Sequence, residues 1–140
     1  LTGFELSGLH WNQFVVVYAN KGRSIYKQNY AEYIRFYVEE DDDEDARFEA
    51  YEAGTVFLKE NFLPHGGSVG NPLSTTIMIK HEPGYDSEFG DWEYIQADLK
   101  GNVILRGKYS DPIVKTVCAD CHGNMAERDY IFATFYSEKM

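Results

Sequence analysis

The chain has 140 residues, a formal net charge of −10, and hydrophobic and aromatic contents of 44% and 16%. That length fits one domain, residues 1–140, with a core of its own, and the composition argues against a disordered segment. The acidic balance argues against a nucleic-acid partner, which needs a basic surface, and would steer in a redox partner carrying a basic patch. No apolar run approaches the roughly 20 residues that span a bilayer.

In chain order, "LTGFELSGLH" lacks the basic start and apolar core of a signal peptide. "HWNQFVVVYANKG" holds a short apolar run ending near Gly22 that suits a strand or a short helix. "NYAEYIRFYVEE" is aromatic and β-branched and predicts a strand. "EEDDDEDARFEAYEAG" predicts a solvated acidic loop entering a short helix; the spacing and glycine of a calcium-binding EF-hand are missing. "GTVFLKENF" alternates Val56, Leu58 and Phe62 against Thr55, Phe57 and Lys59, as a strand does. A glycine-rich loop, "LPHGGSVGNP", then leads to a second strand, "STTIMIKHE". "WEYIQADLKGNVILRG" predicts a hairpin turning at Lys100, Gly101 and Asn102, and "DYIFATFYS" predicts a last aromatic strand. Short strands and tight turns favour antiparallel pairing, so the fold class is mainly β (α+β) with a few helices.

The chemistry is concentrated in "VCADCHGNM", which holds both cysteines of the chain. Cys-x-x-Cys-His is the attachment signature of a c-type haem. The preceding "SDPIVKT" predicts a helix with Asp111 at the N-cap and Pro112 in the first turn. On a regular helix Cys118, Cys121 and His122 stand at i, i+3 and i+4, on one face. Two thioethers would then hold the haem edge while His122 reaches the iron. Two other chemistries use the same residue types. A redox Cys-x-x-Cys opens a helix after a strand in a βαβ unit, whereas this pair closes one near the C-terminal end. A zinc site would need further ligands from His10, His65 or His81.

Longer stretches carry a family resemblance. "AGTVFLKENF", "MIKHEPGYDSEFGDWEYIQADLKGNV" and "CADCHGNMAERDYIFATF" together resemble the cytochrome P-460 family, over residues of about 54–136. The Gly-Asp-Trp and Asp-Tyr-Ile-Phe segments make the match more specific than the haem motif alone. The resemblance implies a small, mostly β, homodimeric protein matured outside the cytoplasm, periplasmic or otherwise extracytoplasmic. Its covalent haem c would be carried by a C-terminal Cys-x-x-Cys-His helix.

The resemblance also implies site residues. Lys59 in "GTVFLKE" matches the lysine that P-460 cytochromes bond to a methine carbon of the haem, a cross-link used to oxidise hydroxylamine. An exposed lysine on a strand is the commoner fate of that residue. Asp111 is the nearest carboxylate to the family's proton acceptor, although helix capping alone accounts for it. Arg35 in "YIRFYV" is a candidate pocket residue, against the usual solvated or paired arginine. Three functions follow: hydroxylamine oxidation with electrons passed to an external acceptor; nitric oxide capture, as in the related cytochromes c′-beta; and plain electron transfer, with Met78 or a histidine as the sixth ligand.

Overall fold

The structure is a computed structural model that describes residues 4–5 and 13–133. Among the described residues, six strands form one antiparallel sheet whose spatial order is the chain order. They are β1 (Phe4–Glu5), β2 (Gln13–Ala19), β3 (Val56–His65), β4 (Ser68–Lys80), β5 (Trp92–Ala97) and β6 (Val103–Lys108). The mainly β, antiparallel expectation holds, and the 92–107 hairpin turns where predicted. Among the described residues no helix is long and apolar enough to cross a membrane.

The glycine-rich stretch is tighter than the expected loop. β3 and β4 run through it and turn at Gly66 and Gly67, whose φ angles are 55° and 80°. A two-residue hairpin turn with both φ positive matches the twist of the flanking strands, and glycine reaches it without steric cost.

The larger correction lies between β2 and β3. "NYAEYIRFYVEE" is not a strand. α1 (Arg23–Tyr33) runs into a π-helical turn over Ile34–Val38, closed by Glu39 N–H donating to the Ile34 carbonyl at 2.8 Å. Its apolar positions Tyr26, Tyr30, Tyr33 and Tyr37 recur every three to four residues, the helical period, which outweighs strand propensity residue by residue. The acidic stretch contains no helix either; it is tied to α1 by side chains. Arg35 donates to the carbonyls of Asp41, Glu44 and Asp45 at 2.7–3.4 Å. Buried Asn29 accepts from Glu49 N–H and donates to Glu49 O, at 2.8 and 2.9 Å.

Strand register assigns the inner face of the sheet. One row across it reads Ala19, Phe57, Met78, Tyr94 and Gly107; the next reads Val17, Lys59, Thr76, Gln96 and Leu105. Phe57, Met78 and Tyr94 of the first row build the core with Trp92, Tyr51, Val114, Ala119 and Ile131. Tyr51 meets Phe57 edge-on at 5.1 Å and Trp92 at 6.1 Å, pairs worth about 0.5–1.5 kcal/mol each beyond area burial. The second row is polar at its centre, where Lys59, Thr76 and Gln96 are all only partly buried.

The last expected strand is absent from its described part. Residues 129–133 follow a short 3-10 turn, Ala126–Arg128, and have no strand partner. Asp129 and Tyr130 have φ of 52° and 65°, which no strand accommodates. The rest of that stretch, 134–137, lies outside the described residues.

Candidate metal centre

The Cys-x-x-Cys-His segment is helical, as expected, but not regular. α2 (Pro112–Val114) passes into a π-helical turn over Lys115–Ala119 and then α3 (Asp120–Gly123). The Asp120 N–H reaches back five residues to the Lys115 carbonyl. The widened turn also sets the Lys115 ammonium against the Asp120 carboxylate, a five-residue spacing that a regular α-helix does not bring together. Cys118 sits inside this turn, so the three motif residues do not have ordinary α-helical placement. Such turns are frequent at functional sites.

Asp111 occupies the N-cap position, with extended dihedrals, but its side chain does not cap the helix. Its carboxylate accepts from Lys108 N–H at 2.9 Å and lies over Gly107. The chain turns sharply from β6 into the helix, and the carboxylate closes that corner instead. Val114 packs on the same glycine and is fully buried, which seats the helix on the inner face of the sheet.

Cys118 is partly buried against the aromatic core, and neither it nor Cys121 forms a disulfide. Burial pushes the Cys118 thiol up, while the ammonium of Lys59 pulls the other way. Lys59 and Cys118 therefore share one electrostatic environment, although 59 positions separate them along the chain. Strand alternation is the reason. Lys59 lies between buried Phe57 and Asn61 on the face that the helix covers.

The His122 ring is fixed on three sides. It meets Tyr94 edge-on at 5.6 Å and Phe132 at 5.1 Å. Its Nδ1 lies 2.7 Å from the carbonyl oxygen of Tyr130. A carbonyl only accepts, so Nδ1 carries a proton, as in an imidazole that ligates a metal through Nε2. Ligating histidines are held this way, with the second nitrogen donating to a carbonyl or carboxylate. Beside it, the Tyr94 hydroxyl is buried without a hydrogen-bond partner among the described residues, and burial raises its pKa far above the ordinary phenol value.

The other expected residues are elsewhere or otherwise engaged. Arg35 is committed to Glu32, at 2.9 Å, and to the acidic loop. His81 pairs with buried Glu93 at 2.7 Å on the opposite face of the sheet, and exposed His65 is at the tip of the β3–β4 hairpin. Met78 is in the core row beneath the helix. Among the described residues no cluster of three or more His, Cys, Asp and Glu side chains stands ready for a metal ion. Two thiols and one anchored imidazole fit a group that brings its own equatorial donors, as a porphyrin does, better than a zinc ion needing four protein ligands. Sequence reading missed Tyr94 and Tyr130. The carbonyl of Tyr130 carries no side-chain signal, and Tyr94 reads as one more strand aromatic. The sequence matches no protein-family model, and a search of curated proteins finds no significant match.

Proposed function

We propose that this chain is a mono-haem c-type cytochrome of the P-460 type. Cys118 and Cys121 would form the thioethers, His122 would bind the iron through Nε2, and Lys59 would supply the further bond to the ring. The observation that carries this reading is that Lys59 stands on the sheet face that the Cys-x-x-Cys-His helix covers, two positions from buried Phe57. When bound, the haem supplies an iron that accepts electrons from a small nitrogenous substrate, and hydroxylamine is the substrate class proposed. The chain's own residues do the rest. His122 presents a fixed lone pair. Phe57, Met78 and Tyr94 exclude water from one part of the site, while Thr76 and Gln96 offer hydrogen bonds beside Lys59. Lys59, once bonded, would no longer place an ammonium against Phe57, a placement that burial penalises. Electrons would pass to an external redox protein, in an extracytoplasmic compartment, from a homodimer.

A second reading, capture of nitric oxide without turnover, gains support from one observation. The carboxylate of Asp111, the expected proton acceptor, is engaged by the Lys108 N–H.

The test is the intact mass and reduced spectrum of the purified protein, beside those of Lys59→Leu. The parent is expected to exceed its polypeptide mass by one haem and to absorb to the red of an ordinary c-type haem. Lys59→Leu should keep the haem, show the ordinary spectrum, lose hydroxylamine oxidation and retain nitric oxide binding. An ordinary parental spectrum with an unmodified Lys59 peptide would transfer the assignment to gas binding; a parent without haem would end both readings.

A further inference from the structure

Asp129 and Tyr130 are consecutive, non-glycine and both left-handed, with φ of 52° and 65°. Such a residue is strained and persists only where its surroundings over-determine it. Here they do. The Asp129 carboxylate is buried and accepts from the Lys80 ammonium at 2.8 Å through both oxygens. It also accepts from Tyr51 N–H at 2.8 Å. The Trp92 indole N–H donates to the Asp129 carbonyl at 2.9 Å. On the far side, the Tyr130 ring lies on Gly90, where an added Cβ would come within 2.6 Å of it. The Tyr130 N–H donates to the Met125 carbonyl at 2.8 Å. With the pair held so, the Tyr130 carbonyl lies 2.7 Å from His122 Nδ1.

We propose that Lys80, Asp129 and Trp92 are positioning residues for His122. They hold the left-handed pair at 129–130, which aims the Tyr130 carbonyl at Nδ1–H and so sets the donor strength of Nε2. The strain buys a fixed acceptor in a place where an extended chain would carry the carbonyl away. This inference rests on the reading of His122 as the haem ligand. A hydrogen bond to Nδ1–H makes the imidazole a stronger donor, which strengthens the iron–histidine bond and lowers the reduction potential.

The experiment compares the haem-loaded parent with Asp129→Asn, Trp92→Phe, Lys80→Met and Lys80→Arg, by resonance Raman of the ferrous protein and by potentiometry. Trp92→Phe removes the indole donor while keeping an aromatic ring in the core, and guards against an Asp129 variant that does not fold. Asp129→Asn, Trp92→Phe and Lys80→Met are each expected to keep one covalent haem by mass, lower the iron–histidine stretching frequency and shift the potential positive. Lys80→Arg should restore both values toward the parent. A haem-loaded Trp92→Phe or Lys80→Met with parental stretch and potential overturns the positioning role while leaving His122 as ligand. A parent without haem overturns the ligand reading itself, and its mass reports that separately.

Discussion

Two cation–carboxylate clusters do different jobs in this molecule. Lys80 and Asp129 are 11% and 8% exposed and join β4 to the C-terminal segment. Arg35 and Glu32 are 25% and 16% exposed and join one helix to the loop that follows it. The first pair is surrounded by the indole of Trp92, with the ammonium 5.1 Å from its ring centre, so each charge depends on the other. The second faces water and shares its hydrogen bonds among four carbonyl contacts. Burial, rather than the number of contacts, decides which pair fixes geometry and which only tethers a loop.

Removing one partner of the inner pair should produce the largest effect. Asp129→Ala leaves the Lys80 ammonium buried without its counter-charge, and about 3–5 kcal/mol of stability should be lost. Urea unfolding of the full chain measures it. A loss comparable to that of an exposed pair would erase the distinction between the two clusters.

The outer pair should respond weakly, and with a pH signature. Its hydrogen bond from Arg35, and then that from Arg47 N–H, hold the Glu32 carboxyl below its ordinary value. A depressed folded-state pKa stabilises the protein above the unfolded value of about 4.3. That contribution fades as pH falls through the lower folded value. Glu32→Gln should therefore cost roughly 0.2–1 kcal/mol near neutrality, and the difference from the parent should shrink in acid. A difference that grows below pH 4 would reverse the sign and refute the tether. The smallest effect is expected at Lys115→Ala, whose partner Asp120 is equally exposed; its denaturation midpoint should not move measurably.

The same contrast explains what could be read in the sequence. Strands β3 to β6 were legible because alternation along each one assigns a face, and Lys59 fell on the inner one for that reason. The Cys-x-x-Cys-His segment and its proline-led helix were legible because they are local. Asp111 was read as a cap, but capping competes with other donors nearby, and Lys108 N–H won. The 23–38 helix was misread because aromatic and β-branched residues favour a strand one by one, while their spacing favours a helix. Tyr130 was out of reach for another reason. Its contribution is a backbone carbonyl aimed by Asp129, Lys80 and Trp92, residues brought together only by the sheet.

The strand order carries a consequence for the order of assembly. Every strand of the sheet pairs with its neighbour in sequence, and the β3–β4 and β5–β6 pairs close through short turns. Such local pairings form early, because little chain entropy is lost in closing them. The Lys80–Asp129 contact joins positions 49 residues apart and closes late. The β3–β4 and β5–β6 hairpins would then be in place while the segment bearing Cys118, Cys121 and His122 is still undocked. Closing the Asp129 contact would fix that segment against β4 last.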